Sequence, residues 1–353
     1  MIINKMANEV GQITSKSWIK IPSKLRLGIK VVLVFSLILG GVLLALTLKP
    51  VRGYNPNPIL NSVNGNYNQA LEKAKSIQAQ EVEQGVNPVC QTQVLEHGQK
   101  VRRVAVLYHG FTNCPAQYSI LGKQIYDLGY NVIIPRMPHH GLNDRLNDDL
   151  KNLTAQELVD NIQIAVDLAS GLGEEVMAFG ISGGSVMAAW AGYHFPAVKT
   201  VFVAAPLFAP ADFNDWQLNF IINLLELIPN QNTWWDDNSK ENIEGPKYAY
   251  PRFSSKAIRP FMELSADLYS KLKKNLNQQS GKKLVLLLGE NDPAINNTVA
   301  RKMIELWGSS PDTTLIQYQF PANLGLGHDF IDPNQKTAKI DIVYPLILKL
   351  MQD

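Results

Sequence analysis

The segment 175–191 constrains this chain more than any other. Glu175-Val176-Met177-Ala178-Phe179 is a short, largely apolar run of the kind a buried strand carries. Gly180-Ile181-Ser182-Gly183-Gly184 follows, and then Ser185-Val186-Met187-Ala188-Ala189-Trp190-Ala191, rich in helix formers and free of proline. Strand, tight glycine turn and helix, in that order, lift a serine hydroxyl out at the edge of a sheet. Alone, Ser182 is a small residue in a turn; its flanks make it a candidate nucleophile.

Strand-like and helix-like runs alternate around this corner. Strands are expected over 101–108, 132–134, 199–204, 283–289 and 314–320, and helices near 117–128, 155–170, 300–307 and 338–351. Such alternation predicts an α/β fold with a mostly parallel sheet and helices on both faces. It breaks down between 209 and 264, where Phe213, Trp216, Phe220, Trp234, Trp235 and Tyr250 accumulate. The insert reads either as a small helical subdomain with its own core or as a cap whose apolar side lines a pocket over the serine.

Three further words accompany the serine: His109-Gly110-Phe111-Thr112, Gly289-Glu290-Asn291-Asp292 and Gly327-His328. The chain order Ser, acid, His matches the order in which a hydroxyl nucleophile, its orienting carboxylate and its base occur on strand-to-helix sheets. A serine hydroxyl is a weak nucleophile until a base takes its proton, and an imidazole can take it and later return it. Of the six histidines, only His328 follows the acid strand in a glycine-rich loop; His109 reads as a brace for its own loop, and His97 and His194 as peripheral. The adjacent pair His139-His140 makes a poor metal site. Asp292 is the candidate acid, with Glu290 and Asp329 as neighbours suited to surface or loop contacts.

On these four words, from about Val101 to the C-terminus, the chain resembles the α/β-hydrolase superfamily, and within it the serine esterases and monoacylglycerol-lipase-like enzymes with an H-G-F-T loop. The resemblance implies an α/β-hydrolase fold with a helical cap insert. It also implies an oxyanion hole built from the backbone amides of Phe111 and Gly183, with Ser182, Asp292 and His328 as the catalytic triad. The expected activity is acyl-enzyme cleavage of a carboxylic ester with an apolar acyl or alkyl part. A thioesterase, an acyltransferase or an aminopeptidase-like hydrolase uses the same triad, and the rival from another class is a non-catalytic, membrane-tethered binding protein. No C-x-x-C pair, H-E-x-x-H helix or P-loop occurs, so no metal or other cofactor is implied. A formal charge of +2, without spread basic residues, does not suit nucleic acid.

The basic residues gather instead near the start. Lys16, Lys20, Lys24, Arg26 and Lys30 precede an apolar run over 31–48, whose helical length of about 27 Å covers most bilayer cores. The run is longer than a usual signal-peptide core and no A-x-A-like site follows, so it reads as a retained anchor, with a cleaved signal as runner-up. With only Lys49 and Arg52 just after the run, residues 1–30 are expected to stay cytoplasmic and the catalytic part to face the extracytoplasmic side. Residues 49–85 then comprise a Pro-, Asn- and Gly-rich linker over 50–65 and a docking helix over 66–84, and 86–353 the catalytic domain. Cys90 and Cys114 are the only cysteines, an even number that fits export; they are either a bridge or two unrelated buried thiols.

Overall fold

The computed structural model describes residues 23–274 and 281–352, so Lys16 and Lys20 lie outside the described residues. Two compact units divide between Leu48 and Lys49. The first contains helix α1 (Ser23–Leu48), whose stretch Leu27–Leu48 is long and apolar enough to cross a membrane. Its valines, Phe35 and all its leucines but the half-buried Leu46 are exposed. Such a helix is a candidate membrane span, and a signal sequence near an N-terminus has the same character.

The second unit begins with helix α2 (Tyr67–Glu83), capped by the Asn66 side chain, which accepts Gln69 N–H at 3.0 Å. Next come β1 (Gln93–Leu95), β2 (Val101–Tyr108), α3 (Ser119–Asp127) and β3 (Asn131–Ile134). Helix α4 (Ala155–Leu172) opens on a capping box: Glu157 N–H reaches Thr154 Oγ1 at 3.2 Å while Glu157 Oε2 accepts Thr154 N–H at 2.9 Å. Then follow β4 (Gly173–Ile181), α5 (Gly183–His194) and β5 (Val198–Ala204). The insert supplies α6 (Leu218–Leu227), β6 (Asn232–Trp234) and β7 (Arg252–Ser254), and the chain closes with α7 (Arg259–Lys274), β8 (Lys283–Gly289), α8 (Asn297–Gly308), β9 (Thr314–Phe320) and α9 (Ile340–Gln352).

Seven strands form one sheet in the order β1-β3-β2-β4-β5-β8-β9, parallel throughout except for β1. The inner strands are apolar runs because both faces are covered, so nothing favours alternation along them. Val104 to Tyr108, Ala178, Phe179, Phe202 and Val285 to Leu287 are all fully buried.

Two expected boundaries fall within continuous structure. The stretch 50–65 is not a free linker: Tyr54 and Val63 are buried, Asn57 N–H donates to Gln163 Oε1 at 2.6 Å, and the amides of Ser62 and Val63 donate to Asp167 Oδ2 at 3.0 and 3.2 Å. Lys73 completes the junction with an ion pair to Asp167 at 2.8 Å. Polar side chains of α4 satisfy the backbone of an irregular segment that composition alone assigns to solvent. Residues 49–85 thus pack as part of the second unit, which spans Lys49–Asp353. The expected end of the insert, near 264, falls inside α7. Phe261, Met262 and Leu264 are buried against the main body, and Ser265 Oγ donates to Phe208 O at 2.8 Å. This helix packs on α5, on α4 and on the insert helix α6.

Candidate active site

Ser182 stands between β4 and α5 with φ 55° and ψ −119°, a conformation that costs on the order of 1–3 kcal/mol for a residue with a side chain. Its surroundings hold it there. Ser182 N–H donates to Ala204 O at 3.0 Å, and Ser182 O accepts from Ser185 N–H and Leu207 N–H, each at 3.1 Å. Below the turn, the Ser185 hydroxyl reaches both Gly180 O and Ala204 O at 2.7 Å. The outer glycines are steric requirements: a Cβ on Gly184 would lie 2.1 Å from Tyr108 O, and one on Gly180 would lie 2.1 Å from Gly184 O. Gly183 begins α5, so its N–H is among the first-turn donors that a helix leaves unpaired.

Asp292 follows β8 and His328 follows β9. His328 Nδ1 lies 2.8 and 3.0 Å from the two carboxylate oxygens of Asp292, whose side chain is 1% exposed. A carboxylate accepts only, so Nδ1 carries a proton, and in the neutral imidazole the lone pair then belongs to Nε2. Asp292 Oδ1 also accepts Ala294 N–H at 2.8 Å, which fixes the carboxylate's plane. Ser182 and His328 line one cavity of about 310 Å³, without a direct hydrogen bond between them. Phe111, Trp235, Ile243, Tyr250, Pro293 and Ala294 give that cavity apolar walls. All three side chains lie beyond the carboxyl ends of parallel strands, where ligand crevices of open α/β sheets form.

The loop after β2 is locked in several directions. His109 is fully buried; its Nε2 accepts Met137 N–H at 3.0 Å, so Nδ1 donates to Gly110 O at 2.9 Å. Burial pushes its imidazole down to about 4, and burial likewise holds His140 well below the ordinary histidine range, so both are neutral. The Phe111 ring packs edge-on or tilted against His140, Trp235, Phe253 and Phe261. Its side chain therefore positions the loop whose amide the motif singles out. Thr112, with φ 66°, bonds to the insert at two atoms: Trp235 Nε1 donates to its Oγ1 at 3.0 Å and Tyr250 N–H to its carbonyl at 2.8 Å.

The other sequence candidates lie elsewhere. Glu290 Oε2 accepts Ala322 N–H at 2.7 Å, away from His328. Asp329 accepts hydrogen bonds from Asn113 and Gln117 rather than from an imidazole. His97 stacks on Tyr126, His194 stacks on Trp190, and His139 sits between Asp149 and Glu157 at 2.9 and 3.1 Å. Cys90 and Cys114 are joined in a disulfide beside Asn113, which ties the entry segment to the loop after β2. Among the described residues, no group of three or more His, Cys, Asp or Glu is arranged to hold a metal ion. Sequence reading missed Gln117, Asn113, Asp332 and Tyr248, whose partners are distant in the chain.

A family model described as the alpha/beta hydrolase family matches residues 105–338. No curated protein sequence matches the chain. Among solved structures, one from the metagenome-derived lipolytic enzymes LipS and LipT is 16% identical, with a TM-score of 0.56, and covers 76% of this chain and 100% of its own. A monoacylglycerol lipase from Paleococcus ferrophilus is 19% identical with a TM-score of 0.53, over 74% of this chain and 99% of the lipase. A soluble variant of monoglyceride lipase from Saccharomyces cerevisiae, in complex with a substrate analog, is 16% identical with a TM-score of 0.50, over 74% and 90%. At these identities the likeness is one of fold, and function has to be argued from the site.

Proposed function

Since the chain belongs to the alpha/beta hydrolase family, we propose that it is a membrane-anchored serine hydrolase that cleaves carboxylic esters with an apolar acyl or alkyl part. The observation that carries this reading is the pairing of His328 Nδ1 with buried Asp292 beside Ser182 at one apolar-walled cavity. At about 310 Å³ the cavity is near the small end of ligand pockets, which suits a short or medium acyl group.

In this mechanism Ser182 Oγ attacks the ester carbonyl while His328 Nε2 accepts its proton. Asp292 keeps the imidazole in the tautomer that leaves Nε2 basic and stabilises the imidazolium. The amides of Phe111 and Gly183 receive the developing oxyanion; one such donor is worth about 2.7–4 kcal/mol. His328 then returns the proton to the leaving alcohol. Water, deprotonated by the same nitrogen, attacks the acyl-enzyme carbonyl, and His328 returns that proton to Ser182 Oγ as the acid leaves. Substrate is required to bring the two side chains into contact, since catalytic hydrogen bonds are often loose in unliganded sites.

The anchor is α1. Leu27–Leu48 spans about 33 Å as a helix, and most of its apolar side chains are exposed. The excess of Lys and Arg before it supports a cytoplasmic N-terminus and an extracytoplasmic catalytic unit, and the disulfide suits an oxidising compartment. A fluorophosphonate probe tests the chemistry: labelling at Ser182 is expected, together with hydrolysis of chromogenic esters in preference to thioesters and aminoacyl amides. Absence of labelling in folded protein overturns the proposal.

A further inference from the structure

Gln117 lies in the short turn Pro115–Tyr118 and is buried. Both ends of its amide are used. Oε1 accepts Gly110 N–H at 2.7 Å, immediately before Phe111, and Nε2 donates to Asp329 Oδ2 at 2.8 Å, immediately after His328. The same carboxylate oxygen accepts Asn113 Nδ2 at 3.2 Å and Gln335 Nε2 at 3.3 Å. Asp329 Oδ1 accepts the backbone amides of Ile331 and Asp332 at 3.2 and 3.1 Å. Among the described residues Asp329 makes no salt bridge, and every donor to its carboxyl oxygens is an amide. Asn113 Nδ2 also reaches Asp332 Oδ2 at 3.1 Å, and Asp332 accepts the Tyr248 hydroxyl of the insert at 2.9 Å.

We infer that Gln117 and Asp329 form a clasp that sets the Phe111 amide at a fixed distance from His328, making both of them positioning residues for ester hydrolysis. This rests on the function proposed above. The oxyanion donor and the base come from loops more than two hundred residues apart in sequence, and Gln117 is the side chain that bonds to both. A misplacement of about 1 Å costs on the order of a hundredfold in rate, so a clasp of two short hydrogen bonds matters more to turnover than to stability. Asp329 thereby has a task distinct from that of Asp292: it holds a loop, whereas Asp292 orients the imidazole.

The polarity of the clasp provides its test. Asp329→Asn turns an acceptor into an amide facing the Gln117 amide, and Gln117→Glu sets two carboxylates against each other; each change preserves volume. In the double variant the two groups exchange chemistry: the carboxylate now at position 117 accepts from the amide now at position 329 and still accepts Gly110 N–H. Each single variant of the full chain is expected to lose about ten- to a hundredfold in kcat with little change in KM, and the double variant to recover part of it, because Asn113 and Gln335 still donate toward position 329. Unchanged kcat in the single variants, or a double variant no better than their product, overturns the clasp. Hydrogen exchange over residues 109–118 separates this inference from the function itself, with faster exchange expected in each single variant and restored protection in the double. If the wild type cleaves no ester yet exchange follows that pattern, the clasp stands and the proposed activity falls. If exchange is unmoved, the clasp falls whatever the activity.

Discussion

Trp235 donates its indole N–H to Thr112 Oγ1 at 3.0 Å, so a residue of the insert holds the loop that carries Phe111. Trp235→Phe keeps most of the ring packing against Phe111 and Phe253 but removes this donor. A net loss of about 1 kcal/mol, felt in the transition state, corresponds to a several-fold fall in kcat/KM. Ester kinetics across chain lengths checks it, and an unchanged kcat/KM would mean that the insert does not brace the loop.

Ser182→Ala, Asp292→Asn and His328→Gln are each expected to lower kcat by about four orders of magnitude, without additivity, because the three groups act as one unit. Ser182→Gly adds a test of the backbone. It is equally inactive, but with φ at 55° it relieves strain that alanine retains, so its melting point should exceed that of Ser182→Ala by the equivalent of about 1 kcal/mol. Equal melting points would show that the turn is not strained.

Cys90 and Cys114 close a loop with a sequence separation of 24, for which chain-entropy arguments give about 3 kcal/mol of stabilisation. Reductant should lower the thermal midpoint of the wild type and leave that of a Cys90→Ser, Cys114→Ser variant unmoved. The bridge also packs on Gly141, where φ is +70° and a Cβ would lie 2.6 Å from Cys90 Cβ. Gly141→Ala should therefore destabilise the oxidised protein by both backbone strain and crowding.

Acid should weaken the fold well before the bulk carboxylates titrate. Burial lowers the imidazoles of His109 to about 4 and His194 to about 3, and holds His140 well below the ordinary range. The unfolded chain takes up protons at these sites from about pH 6.5 downward while the folded protein does not, so stability present above pH 6.5 is lost as the pH falls toward 4. Asp332 acts in the opposite direction. Burial raises its carboxyl to about 6, so its contribution is present below about pH 4 and lost as pH rises through 6. Three histidines outweigh one carboxyl, at about 1.4 kcal/mol per proton per pH unit. Melting curves between pH 7 and 4.5 should show a falling midpoint; a flat or rising one would exclude buried neutral imidazoles.

Full-length protein should resist alkaline extraction from membranes, and protease added outside the membrane should reach the catalytic unit. A cytoplasmic catalytic unit would overturn the orientation, and release by alkali would point to a cleaved leader.

Much of the sheet was legible because strands covered on both faces must be continuous apolar runs, as at β2, β4, β5 and β8. The serine corner was legible because only glycine fits at Gly180 and Gly184. The clasp was not: Gln117 and Asp329 are ordinary polar residues whose meaning lies in pairing across 212 positions. The segment 50–65 was misread because a polar stretch looks the same whether water or Gln163 and Asp167 satisfy its backbone. The role of α7 at the site was not legible either, since Phe261 faces Gly183 across a distance in sequence.

Docking of that segment limits where the protein can work. From Leu48 to buried Tyr54 only residues 49–53 intervene, and fully extended they reach about 20 Å. On the proposed reading of α1 as a membrane anchor, a connection this short would keep the hydrolase unit close to the bilayer. Its encounters are then governed by lateral diffusion and by how strongly an ester partitions into the membrane, so a lipophilic substrate gains an effective concentration that a freely dissolved one lacks.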